Sequence, residues 1–103
     1  MRTTLALLGS LALLAPASAA PTAEAGRTVF LEKAEPRCGV CHTLSEAGTT
    51  GEIGPNLDTL KPDAERVKAA VRNGIGVMPA FEDLSPEEIE SVSLYVAGAA
   101  GRK

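Results

Sequence analysis

The chain has 103 residues, with 13 Asp and Glu against 10 Lys and Arg, a formal net charge of −3 and only 3% aromatic residues. An acidic chain without a basic stripe is poorly suited to binding nucleic acid. Its length corresponds to one small domain, and so few aromatic side chains bury little apolar surface unless a cofactor or a cross-link adds to the core.

The N-terminal segment has the layout of a secretory signal peptide. Arg2 precedes an apolar run over residues 5–15, and small residues follow as far as Ala20. This order is typical of an Ala-x-Ala cleavage site, and we expect cleavage after Ala19. The run is too short for a transmembrane helix, which needs about 20 apolar residues. A signal peptide is therefore predicted at 1–19.

The mature chain is then one domain at 20–103, and its formal net charge becomes −4 because Arg2 is lost with the signal. We expect it to be soluble in the bacterial periplasm, with no membrane span. Its first helix is predicted over 22–34, where Val29 and Phe30 lie among polar residues. The helix must stop before Pro36, since a proline disfavours helix in the residue that precedes it.

All the cysteine and histidine of the chain lies in the next segment, residues 38–42, which read Cys-Gly-Val-Cys-His. Two thiols at this spacing can each form a thioether to one vinyl group of a haem, and the adjacent imidazole can reach the iron. The pattern predicts one haem c, covalently attached through Cys38 and Cys41 and ligated by His42.

Three other sites can be built from a Cys-x-x-Cys pair. A thioredoxin-like redox pair needs a preceding strand in a βαβ pattern, which the sequence does not show. A structural zinc site needs four ligands, so only carboxylates would be left to complete it. A small disulfide in an exported protein is the third alternative.

Two more helices are predicted after the motif, separated from it by a loop rich in glycine. The first covers 63–73 and places apolar residues on one face, with Gly74 at its end. The second begins at Ser85, because the sequence Ser-Pro-Glu-Glu from there combines a capping box with a proline in the first helical position. Strand signals are poor throughout.

The loop between these two helices contains Met78, the only methionine outside the predicted signal peptide. Gly74 and Gly76 allow a tight turn before it, and Pro79 stiffens the chain after it. A lone methionine often only fills a gap in the core. With the haem motif upstream, we instead expect its thioether to be the second axial ligand, because His/Met ligation is the solution used by cytochromes c.

These residues together resemble the class I c-type cytochromes, especially the small bacterial monohaem proteins. Gly26 and Phe30 match the glycine and aromatic positions of the family's N-terminal helix, and Val92 and Tyr95 match its C-terminal helix. Residues 54–57, Gly-Pro-Asn-Leu, are similar to the loop that follows the haem motif. The resemblance implies an all-α cytochrome c fold, with three main helices and a short turn at the haem motif wrapped around one haem.

The resemblance also assigns roles to two residues of that loop. The carbonyl of Pro55 would accept a hydrogen bond from the ring nitrogen of His42 that faces away from the iron, which orients the ligand. Leu57 would pack on the face of the haem.

Filled axial positions at His42 and Met78 favour a one-electron carrier over an enzyme. We expect transient complexes with periplasmic or membrane-bound redox proteins, formed by a monomer. The alternative is a dedicated cytochrome subunit or obligate electron acceptor of a periplasmic dehydrogenase, for example of the sulfite dehydrogenase type. A gas sensor or enzyme with an open iron site would require Met78 to be unbound.

Overall fold

The computed structural model describes Gly9 and residues 20–102, so the signal peptide predicted at 1–19 lies outside the described residues apart from Gly9. The helices are α1 (Ala23–Thr28), continued by a π-helical segment (Val29–Lys33), α2 (Cys38–Cys41), α3 (Leu57–Leu60), α4 (Ala64–Asn73) and α5 (Pro86–Ala99). Strands β1 (Thr43–Leu44) and β2 (Thr49–Thr50) flank a 3₁₀ turn (Ser45–Ala47). None of the helices described is long and apolar enough to cross a membrane.

The two ends of the domain meet where α1 packs on α5. A methyl group on Gly26 would lie 1.9 Å from the carbonyl oxygen of Ser91, so only glycine permits this approach of the two backbones. Beside it, the rings of Phe30 and Tyr95 pack edge to face with centroids 5.8 Å apart. The glycine and aromatic positions of the sequence pattern thus form the helix crossing.

The first helix covers the predicted range but changes its winding. Thr22 caps it, since its Oγ1 accepts a hydrogen bond of 3.0 Å from the backbone N–H of Ala25. The segment Val29–Lys33 then continues as π-helix instead of α-helix. The widened turn buries both Val29 and Phe30 almost completely, each with 1% of its surface exposed.

A small antiparallel hairpin follows the haem motif in a region that was predicted to be loop. Thr43 pairs with Thr50 and Leu44 with Thr49. The Oγ1 of Thr49 donates to the carbonyl of His42 and accepts from the N–H of Leu44. Strands of two residues are too short to show alternation, so the sequence pattern had no means of indicating them.

Helix α4 begins and ends where its caps predicted, and α5 begins where its capping box predicted. The carboxylate of Asp63 caps α4, and Gly74 ends it with a φ of 73°. Ser85 and Glu88 form the reciprocal capping box at the start of α5. The short helix α3, capped by Asn56, was not predicted, because a single turn has no measurable period.

The core is built mainly from α5 and the π-helical continuation of α1, with single residues from β1, α3 and α4 and two from loops. Its members are buried to at least nine-tenths: Val29, Phe30, Ala34, Leu44, Leu57, Val71, Phe81, Ile89, Val92, Tyr95, Val96 and Ala99. The two-residue strands form the only sheet among the described residues. The expectation of a mostly helical domain is therefore confirmed.

Glu88 should make the stability of the domain depend on pH. Its carboxylate accepts a hydrogen bond of 2.9 Å from the backbone N–H of Ser85 and lies 3.5 Å from the ammonium of Lys33, and these contacts lower its pKa from the ordinary value of 4.5. A carboxyl group with a lowered pKa in the folded state stabilises the fold above its ordinary pKa. That contribution is lost as the pH falls through the lowered value.

We expect Glu88→Gln to reduce the free energy of unfolding by about 0.5–1 kcal/mol near neutral pH, because the glutamine keeps the hydrogen bond and loses only its charge. In denaturant unfolding, the free energies of the two proteins should converge as the pH falls through the lowered pKa of the native carboxyl, because the group then becomes neutral in both proteins. Glu87→Gln, in the same helical turn and outside the capping box, is the matched control. A difference that persists unchanged at acid pH would contradict the assignment.

Candidate haem-binding site

A cavity of about 590 Å³ opens between the haem motif, α3, α4 and the loop that carries Met78. Cavities that hold cofactors are typically roughly 300–1,000 Å³ and mostly apolar. The walls here are apolar too, with Phe30, Leu60 and Val67 among them. The structure brings all six predicted site residues to this cavity: Cys38, Cys41, His42, Pro55, Leu57 and Met78.

The single turn of α2 carries both cysteines to the cavity. Cys38 and Cys41 are half-buried and not bonded to each other. Burial raises the pKa of the Cys38 thiol to about 11, with a smaller contribution from Cys41. No group of three or more His, Cys, Asp and Glu side chains comes together within the described residues, so the zinc alternative lacks a third ligand there.

His42 is held in one orientation by two contacts. Its Nδ1 lies 2.7 Å from the carbonyl oxygen of Pro55, and because a carbonyl only accepts, Nδ1 carries the proton. The Nε2 lone pair is thereby left available to a metal. Gly54 packs against the ring, where an added methyl group would lie 2.6 Å from Cε1. The loop of residues 54–55 therefore sets both the tautomer and the plane of the imidazole.

Met78 reaches the cavity from a tight turn after α4. The backbones of Ile75 and Met78 exchange two hydrogen bonds, of 3.0 and 2.9 Å. The N–H of Phe81 then bonds to the carbonyl of Val71, which ties the far end of the loop to α4. The Met78 side chain is half-buried, while Val77 beside it is 89% exposed. The turn thus places Met78 half-buried in the cavity wall and Val77 at the open rim of the same cavity.

Leu57 joins the cavity wall to the core. It is the first residue of α3 and is 7% exposed. The preceding residues Pro55 and Asn56 are exposed, so the chain turns inward at the start of this helix. Leu57 thus lines the cavity, and its packing on the face of a haem stays a prediction.

Sequence reasoning missed several residues of the wall, among them a group on α4. Val67, Ala70 and Val71 line the cavity from the apolar face that the sequence predicted, so the periodicity itself was the available signal. Arg37 and Arg66 are the charged side chains of the wall. No pattern in the sequence distinguishes them from other surface arginines.

The residues present fit a haem. A flat apolar ring suits a mostly apolar cavity, and two thiols, an imidazole with a free Nε2 and a thioether border the same space. These are the groups that attach and ligate a c-type haem.

Comparisons with known proteins point to one family. Residues 21–96 match the family model described as cytochrome c oxidase, cbb3-type, subunit III. Cytochrome c6 from Leptolyngbya boryana is 39% identical over 83 residues, which cover 76% of this chain and 93% of that protein. The chain belongs to the c-type cytochromes.

Further relatives cover a similar part of this cytochrome. Cytochrome c6 from Rippkaea orientalis is 34% identical over 97 residues, covering 85% of this chain and 80% of that protein. The crystal structure of the c-type cytochrome SorU from Sinorhizobium meliloti is 62% identical and superposes with a TM-score of 0.76, covering 77% and 91% of the two chains. The predicted family, a small monohaem class I cytochrome, and its fold are confirmed. Haem binding and electron transfer follow from membership of the family.

Proposed function

We propose that this cytochrome is a one-electron carrier of the bacterial periplasm, with a covalent haem c ligated by His42 and Met78. The observation that carries the proposal is the meeting of these two side chains with Cys38 and Cys41 at one apolar cavity. A bound haem supplies an iron centre that gains and loses one electron.

The protein side chains hold the ligands in place for this chemistry. Cys38 and Cys41 would anchor the cofactor, and the bond from His42 to Pro55 sets the tautomer of the neutral imidazole in which Nε2 can bind iron. With Met78 as the second ligand, His42 and Met78 would together hold the iron. Such a site leaves no position for a substrate, so transfer of electrons is favoured over catalysis.

Exposed apolar side chains in the haem motif and at the cavity rim would provide a surface for transient partners. Val40 lies between the cysteines and is 58% exposed, while Ile53, Ile75 and Val77 are 69%, 69% and 89% exposed. Large apolar groups left in contact with water commonly mark interaction sites. A small patch of this kind suits brief encounters of a monomer with other redox proteins.

The visible absorption spectrum tests the ligand assignment. The protein should be matured with its signal peptide in a periplasm equipped for haem attachment, and then measured oxidised and reduced. We expect sharp reduced bands of a low-spin c haem and a weak far-red thioether band in the oxidised state. A high-spin spectrum would overturn ligation by Met78 and favour the open-site alternative. Cytoplasmic retention of the product would overturn the export signal at 1–19.

The dedicated acceptor of a periplasmic dehydrogenase stays a separate prediction. The dedicated acceptor would have the same cofactor and ligands as the free carrier, but it would serve a single dehydrogenase. Purification of the tagged cytochrome from its own periplasm distinguishes the two. A stoichiometric dehydrogenase in the eluate would favour the dedicated acceptor, and a monomeric cytochrome alone would favour the carrier.

A further inference from the structure

Asp58 makes three hydrogen bonds that no part of the haem site explains. Its Oδ2 accepts from the backbone N–H of Ser45 at 2.9 Å and from the Oγ of Ser45 at 2.8 Å. Its Oδ1 accepts from the backbone N–H of Gly101 at 2.9 Å. One carboxylate therefore joins α3 to the turn of the hairpin and to the chain after α5.

The hydrogen bonds of Asp58 connect the same two segments of the chain that the bond between His42 and Pro55 connects. The bond between His42 and Pro55 joins two segments of the chain. Three residues further along each segment, Ser45 and Asp58 join the same two segments again. The second link lies across the same pair of segments, so it restricts how far the Pro55 carbonyl can move from the imidazole.

We propose that Asp58 is a positioning residue for the axial histidine, holding the carbonyl of Pro55 on the Nδ1 proton of His42. The proposal rests on the function proposed above, because the bond to Pro55 matters for electron transfer only if His42 ligates the iron. The pKa of Asp58 is lowered by the N–H of Gly101 and then by the bonds from Ser45, so the carboxylate is charged near neutral pH and accepts from all three donors.

Asn at position 58 would lose at least one of these bonds, because its amide nitrogen must face one of the donors. In the reduced, haem-loaded protein, we expect Asp58→Asn to speed hydrogen exchange of the His42 Nδ1 proton by at least about tenfold, the equivalent of one charged hydrogen bond. Proton NMR follows this resonance directly. The faster exchange should not change at low denaturant concentrations, because exchange through local opening exposes little surface. Exchange through global unfolding, in contrast, speeds up with denaturant.

A second variant distinguishes the positioning of His42 from an effect of the Asp58 charge. Ser45→Ala keeps the carboxylate and removes one bond, so we expect faster exchange of the same proton, by a smaller factor than in Asp58→Asn. The reduction potential should shift upward in both variants, because a weaker bond to Pro55 leaves the imidazole a poorer electron donor. Asp63→Asn is the matched control. It removes one carboxylate charge at the cap of α4 and leaves the bonds between Asp58 and Ser45 in place.

The possible results are distinct. Exchange of the Nδ1 proton within about twofold of the native rate in both variants, with faster exchange only at the Gly101 N–H, would overturn the proposal and leave Asp58 as a clasp for the C-terminus. A potential shift in Asp58→Asn without one in Ser45→Ala would assign the effect to charge and also overturn it. Absence of a haem-shifted imidazole resonance in the native protein would refute ligation by His42, which is a failure of the proposed function instead.

Discussion

Replacing Met78 with alanine should convert the haem-loaded protein from low-spin to high-spin in at least the oxidised state and abolish the far-red thioether band. Among the described residues Met78 is the only methionine, so no other thioether can take its place in the cavity wall. We also expect the reduction potential to fall by on the order of 0.1 V, since a thioether ligand stabilises the reduced iron and axial ligands tune haem potentials over roughly 0.8 V. Visible spectroscopy and a redox titration measure both effects.

Val77→Ala is the matched control for this prediction. Val77 precedes Met78 in the same turn and also borders the cavity, but its side chain has no atom that can ligate iron and 89% of its surface is exposed. The control should keep the low-spin spectrum and the far-red band. Met78→Ala with an unchanged far-red band would contradict the assignment of the second axial ligand.

The second large effect is expected at Gly26, where we predict that alanine destabilises the domain by about 3 kcal/mol or more. The added methyl group would lie 1.9 Å from the Ser91 carbonyl oxygen and 2.7 Å from Cβ of Tyr95. Because one of these atoms is backbone and the other is fixed to it, α1 and α5 must separate to relieve the overlap. In thermal unfolding, a loss of this size lowers the midpoint of a domain this small by roughly 10–25 °C.

Gly98→Ala tests whether the effect belongs to the crossing and not to glycine in a helix. Gly98 lies in α5, and a methyl group there meets nothing within 4 Å. Alanine should stabilise the helix by about 0.5 kcal/mol, because glycine costs conformational entropy. Equal destabilisation by the two substitutions would contradict close packing at Gly26 as the cause.

The haem motif and the helix caps were predictable because their physics is local. Attachment of a haem depends on residue types at adjacent positions, so residues 38–42 indicate it without any knowledge of the fold. The capping box at Ser85 and Glu88 likewise forms within one turn of the chain. The start of α5 was therefore predicted to the residue.

The hairpin and the short helix α3 were not predicted, since two-residue strands and a single turn carry no period. Their positions depend on side-chain bonds to distant residues. Thr49 holds β1 through the carbonyl of His42, and Asp58 ties α3 to Ser45 and Gly101. Neither interaction has a sequence signature, because either residue would be an ordinary polar surface residue in another fold.

By itself, the sequence determined the chemistry of this cytochrome: which residues can attach a haem, which can ligate it and which family pattern they follow. Tertiary structure alone decided the distance of 2.7 Å from His42 Nδ1 to the Pro55 carbonyl oxygen. It also decided that the apolar face of α4 lines the cavity and that Asp58 bonds to Ser45. The physical reason is the range of the interactions. Covalent and capping chemistry acts between neighbours along the chain, whereas the orientation of a ligand depends on groups that meet only after α1 and α5 have packed.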